Sequence, residues 1–137
     1  VPKLFEVELD VELAVCKWAD QHYINHFKLT LRGNNGWPDR MFWMGGCVVF
    51  IEFKRPGESP EPLQVERIKQ LLDDGFTVEV HDDERSAVTF LESTLLSEDW
   101  RKANAESSVR WPLIQARSGK DRSRVHGISH PSRKRVR

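Results

Sequence analysis

Cysteine is scarce in this chain. Cys16 and Cys47 are the only two, and neither stands in a CxxC spacing, which removes the usual grounds for a disulfide framework or a thiolate zinc site. Both lie within apolar patterns, as buried thiols in a reducing compartment would. Long apolar runs are missing too. No stretch approaches the roughly 20 residues needed to span a bilayer and no secretory h-region is present, so a cytoplasmic location with no membrane partner is expected. The histidines His22, His26, His81, His126 and His130 offer no metal-ligand spacing beyond the i,i+4 pair His22/His26, and a solvated helix end explains that pair more simply than zinc does. No segment repeats.

Net charge is absent as well, with 21 Lys+Arg against 21 Asp+Glu, but the cancellation is uneven. Residues 117 to 137 hold Arg117, Lys120, Arg122, Arg124, Arg133, Lys134, Arg135 and Arg137 against Asp121 alone, a charge of +7 that leaves −7 on the other 116 residues. A basic segment poor in apolar residues is weakly ordered unless a partner holds it, and it is attracted to polyanions. A solubilising extension has the same composition. With 137 residues the chain can bury one core, not two. The organisation expected is a single domain over residues 1–116 and a basic C-terminal tail over 117–137.

What the sequence does contain is a regular alternation of elements. Phe5, Leu9 and Leu13 with Val11, Val15 and Trp18 recur at helical intervals and predict an amphipathic helix over about residues 5–23. Phe27 to Arg32 alternates apolar with polar residues and reads as a strand, ended by Gly33-Asn34-Asn35-Gly36. Arg40–Met44 and Cys47–Lys54 read as two strands joined by a tight turn at Gly45-Gly46. The second, Cys-Val-Val-Phe-Ile-Glu-Phe-Lys, is nearly continuous in apolar residues, as a central strand covered on both faces should be. Leu63–Asp74 predicts a helix stopped by Gly75, Phe76–Val80 a strand, and Asp83 caps a last helix running through Val88, Leu91 and Leu95. The order αβββαβα makes a small α/β domain.

The chemistry-bearing residues gather at the strand ends of this scheme. Glu52 and Lys54 are two apart in one strand and leave the same face of the sheet. Asp39, in Gly36-Trp37-Pro38-Asp39, precedes the strand that pairs beside theirs, and the hairpin at Gly45-Gly46 returns the chain to its level. Two carboxylates and a backbone carbonyl, that of Phe53, suit a hard ion such as Mg²⁺ with water in its remaining positions. Such an ion polarises a phosphoryl oxygen and acidifies a bound water, while Lys54 orients that water or neutralises developing charge. Gln64 lies on the buried face of the next helix, within reach of the site or of a phosphate. Glu12 offers a third carboxylate, Lys28 a phosphate contact, and Trp37 either stacks on a base or wedges its loop.

Singly, each has a plainer use. Glu-x-Lys at a strand end is usually a solvated edge, Pro38-Asp39 an ordinary turn, Gln64 a helix-start residue, Glu12 a surface charge, and Trp18 and the phenylalanines core. Only the combination points to metal-assisted phosphodiester cleavage. Glu12, Lys28, Gly36-x-Pro38-Asp39-Arg40, Phe50-Ile51-Glu52-Phe53-Lys54, Leu63-Gln64 and Gly75, in that order, resemble the VRR-NUC family, the virus-type replication and repair branch of the PD-(D/E)xK nucleases. The spacing is similar to that of its stand-alone phage and bacterial members, over roughly residues 5–95.

The resemblance implies a restriction-endonuclease-like core, a central mixed β-sheet flanked by helices, in which Asp39 and Glu52 bind Mg²⁺ or Mn²⁺, Lys54 assists, and Glu12 and Gln64 complete the site. It also implies a homodimer that cuts branched DNA such as four-way (Holliday) junctions in replication, recombination or repair. The basic tail has no counterpart in the motif. An acidic body repels DNA unless divalent ions fill the site and cations gather on one face; the phosphate-contact candidates are Lys28, Arg32, Arg40, Arg55 and, in the tail, Lys120, Arg122 and Arg124. Two other readings compete: a non-catalytic DNA-binding protein that keeps the fold, and a different metal-dependent phosphodiesterase or restriction enzyme.

Overall fold

A computed structural model describes residues 8–105 of the chain. Phe5 and the basic tail, with Lys120, Arg122 and Arg124, lie outside these residues. The elements run α1 (Glu8–Gln21), β1 (Asn25–Lys28), β2 (Arg40–Met44), β3 (Cys47–Phe53), α2 (Pro62–Asp73), β4 (Thr77–His81), α3 (Glu84–Ser93) and α4 (Glu98–Asn104). The four strands form one sheet in the order β1-β2-β3-β4. β1/β2 and β2/β3 pair antiparallel, β3/β4 parallel. The sheet is therefore mixed, and the parallel pair is bridged by the α2 crossover that such a connection requires.

The β2–β3 hairpin closes on the pair Met44↔Cys47. Gly45 and Gly46 have φ of 58° and 81°, the two left-handed positions of a two-residue turn matched to strand twist. β3 alternates strictly. Cys47, Val49, Ile51 and Phe53 face one side and are buried with Phe42, Val11, Val15, Ala19, Ala87 and Leu91, which come from β2, α1 and α3. Val48, Phe50 and Glu52 face the other, where Phe50 packs with Leu71 and Val78 and is flanked by Ile68 and Met41. Helices thus cover both faces of β3, and Glu52, exposed by only 1%, is a carboxylate inside a core layer.

Two elements differ from the expected pattern. The strand anticipated over Phe27–Arg32 occupies Asn25–Lys28 instead. Its apolar alternation continues further, but its partner strand begins at Arg40, opposite Lys28. Past Leu29, whose N–H reaches the Asp39 carbonyl at 2.8 Å, no strand remains to pair with, and the ladder stops where its partner stops. The short helix α4 was not anticipated. Ser97 Oγ accepts from the Trp100 N–H, Arg101 donates to the Leu95 carbonyl, and the Arg101 side chain lies against Gly45 of the hairpin. At seven residues, α4 is too short to show a periodic apolar stripe.

Asp83 caps α3 as the sequence indicates, accepting from the Ser86 N–H at 2.8 Å, and this bond holds its carboxyl below the ordinary range. Cys16 and Cys47 are free and buried; burial pushes the Cys16 thiol up to about 11 and raises that of Cys47, which leaves both poor nucleophiles. Among the described residues, no helix is long and apolar enough to cross a membrane.

Candidate active site

Asp39, Glu52, Lys54 and Gln64 come together at the end of β3, and each is held there by a specific local device. Asp39 follows Gly36-Trp37-Pro38. Gly36 has a φ of 86°, and a Cβ there would stand 2.6 Å from Leu63 Cγ and 3.0 Å from the Leu63 carbonyl oxygen. Only glycine lets this loop lie so closely on the first turn of α2. Pro38 is fully buried. The loop so fixed brings Asp39 Oδ2 within 2.8 Å of the Phe53 N–H, which donates to it. One carboxylate of the pair is thereby tied to the backbone of the residue between the other two site groups.

Glu52 and Lys54 leave the same face as their spacing dictates, and Lys54 Nζ lies 3.2 Å from Glu52 Oε1. Gln64 completes the arrangement from α2. It is the third residue of that helix, and its Oε1 accepts from the Glu61 N–H at 2.8 Å in a capping box. With Oε1 so committed, the amide must present Nε2 to the site, where it donates to Glu52 Oε1 at 2.6 Å. Both protein donors therefore converge on one oxygen of Glu52. Its other oxygen, Oε2, is buried with no hydrogen-bond partner.

That arrangement is electrostatically unfavourable for the protein alone. Burial, reinforced by the charge of Asp39, pushes the Glu52 carboxyl up to about 7 against the pull of Lys54. Asp39 is raised as well, by burial first and by the charges of Glu12 and Glu8, although the Phe53 N–H opposes the shift. A buried oxygen without a donor, beside a second carboxylate, is a place where a divalent cation would replace missing interactions. Among the described residues, no group of three or more His, Cys, Asp or Glu is placed to hold a metal ion together. Two carboxylates with open positions suit Mg²⁺, which keeps several waters, better than zinc, which needs a fuller protein shell.

Glu12 is placed differently. It is buried on α1, but Arg40 Nε bonds its Oε1 at 2.7 Å and Lys28 Nζ lies 3.4 Å away. Arg40 is further tied to His26 Nδ1 at 3.4 Å, and His26 Nε2 to Asp20 at 2.8 Å. Arg40, considered above for a phosphate contact, is thus committed to Glu12 with its side chain only 15% exposed. Lys28 is half committed, and Arg55, 4.0 Å from Glu58, and Arg32 are exposed. Sequence reasoning does not single out Glu8. It lies one turn before Glu12 on the same helix face, and its charge acts on both Asp39 and Glu52. The signal was the i,i+4 repeat of glutamate at the start of α1.

No protein-family model and no curated protein matches this chain. Among solved structures, one described as a "VRR_NUC domain" superposes with a TM-score of 0.58 at 22% sequence identity, covering 62% of this chain and 94% of that one. The chain has the fold of that domain over nearly the whole of the domain's length, in agreement with the resemblance carried by the motifs.

Proposed function

We propose that the protein is a divalent-metal-dependent endodeoxyribonuclease of the VRR-NUC type, acting on branched DNA such as four-way junctions. The observation that carries this reading is the pairing of Asp39 with Glu52, whose Oε2 is buried and unpartnered. A non-catalytic DNA-binding protein would have no use for so unfavourable a carboxylate pair, and a structural pair would be expected to have its donors (as Glu12 does).

Asp39, Glu52 and the Phe53 carbonyl would hold Mg²⁺ or Mn²⁺, with the charge of Glu8 adding to the field at both carboxylates; Glu12 is left to Arg40. The bound ion would supply Lewis acidity to the phosphoryl group and to the attacking water. Lys54, fixed by Glu52 Oε1, orients the water through Nζ and neutralises charge on the non-bridging oxygens as the water oxygen bonds to phosphorus and the bridging P–O bond breaks. Gln64 and Lys54 both engage Oε1 of Glu52, which would leave Oε2 as the oxygen available to the ion. A homodimer would place two such sites about a twofold axis, as symmetric cutting of a junction requires, and residues 117–137 would add a polycationic contact to DNA.

The test is cleavage of labelled single-stranded, duplex, flap and four-way-junction DNA in Mg²⁺, Mn²⁺ or EDTA, by the wild type, Asp39→Ala and Lys54→Ala. Metal-dependent cutting of the junction, lost in both variants, is the expected result. Equal cutting by all three proteins would overturn the assignment. For the tail, removal of residues 117–137 should weaken junction binding in a salt titration and spare the chemistry, and unchanged affinity would refute its role.

A further inference from the structure

We infer that Arg67 is a phosphate-binding residue, held rigidly by Trp37 and Asn35, that grips the nucleic-acid backbone one helical turn from the cleavage site. The inference rests on the nuclease reading above and names a contact absent from the cations considered so far. Arg67 lies three residues after Gln64 on α2, on the same side of the helix and about 4.5 Å further along its axis. Gln64 bonds Glu52. The side chain of Arg67 is therefore next in line along the edge of the site.

Its guanidinium is fixed by three contacts. The carbon Cζ stands 4.9 Å over the centre of the Trp37 ring, Nε donates to the Asn35 carbonyl at 3.3 Å, and Nη1 donates to Gln70 Oε1 at 3.3 Å. The platform beneath it is itself packed in place. Trp37 packs against the Phe50–Leu71–Val78 cluster, and Gly36 pins the same loop against Leu63. Trp37 Nε1 is buried without a partner, so packing rather than hydrogen bonding holds the ring. With a guanidinium over that face, the indole supports an arginine instead of offering the face to a base.

None of these three contacts supplies a negative charge. Lys28 and Arg40 are matched to Glu12 and Lys54 to Glu52, whereas among the described residues no carboxylate pairs with Arg67. The guanidinium has five N–H donors and two are used, which leaves three in a planar fork suited to phosphate oxygens. A half-buried, oriented and uncompensated cation beside an acidic metal site is what an incoming phosphodiester would meet. Its ordering entropy is already spent before the substrate arrives.

The experiment is fluorescence anisotropy with fluorescein-labelled duplex and four-way-junction DNA, in Ca²⁺ and over a series of salt concentrations, using the wild type, Arg67→Ala and Arg67→Lys. Arg67→Ala should weaken binding about tenfold and lower the slope of log affinity against log salt by about 1. Arg67→Lys should keep most of the slope but lose affinity, because lysine has neither the fork nor the stacking plane. A merely structural role would lower the melting temperature without moving the slope. Wild-type binding with an unchanged slope in Arg67→Ala would overturn the Arg67 assignment alone. A wild type that binds neither DNA would overturn the nuclease reading together with it.

Discussion

Glu12 and Glu52 are nearly equally buried, at 2% and 1% exposure, and they lie on opposite sides of the same sheet. On the α1 side, Glu12 is enclosed by Arg40 and Lys28, and the chain of contacts continues through His26 to Asp20. On the α2 side, Glu52 has two donors directed at a single oxygen and none at the other. The fold treats one glutamate as an anion to be neutralised and leaves the second incompletely solvated beside another carboxylate. Burial alone does not mark a catalytic acid. The informative quantity is how many of its lone pairs the protein has left unanswered.

The largest effect that would sharpen this contrast is on chemistry. Glu52→Gln and Asp39→Asn should each lower metal-dependent cleavage by about a thousandfold, the scale on which a single electrostatic contact to a developing charge acts. Single-turnover rates measure this, and a loss of less than tenfold would place the metal elsewhere. Next comes stability on the paired side. Arg40→Ala leaves Glu12 buried with only the half-exposed Lys28 and should cost about 3 kcal/mol in urea unfolding, whereas Glu12→Gln combined with Arg40→Met should be close to neutral.

A smaller effect is the pH dependence of stability. The Glu52 carboxyl is raised from 4.5 to about 7 in the folded protein, so between those values the native state binds more protons than the unfolded chain. Its contribution to stability is therefore present below pH 4.5 and is lost as pH rises through 7. Melting curves of metal-free protein should show this decline, Glu52→Gln should flatten it, and Mg²⁺, if it binds the charged form as proposed, should reverse it near pH 7. A decline that persists in Glu52→Gln would assign it to another group. The smallest effect is Lys28→Ala, which removes a half-exposed partner 3.4 Å from Glu12 and should cost about 0.5 kcal/mol; a cost above 2 kcal/mol would mean that Lys28, not Arg40, compensates Glu12.

Much of the fold was legible because the signals were local. The glycine pair at the hairpin, the continuous apolar run of β3 and the Asp83 cap each act within a few residues, and the structure has them where periodicity and turn chemistry put them. The alternation over Phe27–Arg32 overruns β1 past Lys28, since a strand ends where its neighbour ends, and that neighbour begins at Arg40, across a loop. The same reason divides the site. Glu52 and Lys54 share a face through a two-residue spacing, and Gln64 and Glu61 form a capping box three apart, all of which can be read in one dimension.

Arg40 stands beside Asp39 in sequence yet belongs to Glu12 across the sheet, and Arg67, which no motif singles out, is brought to Trp37 by the approach of the Gly36 loop to α2. The sequence by itself determined the longer elements, all but α4 and the bounds of β1, and which carboxylates and amine sit at their ends, because those are consequences of spacing and local backbone preference. Only the tertiary structure decided which charges cancel, which oxygen is left without a donor and which cation stays uncompensated. Those depend on contacts between residues distant along the chain, where electrostatic energy is set by burial and by the partner that packing brings near.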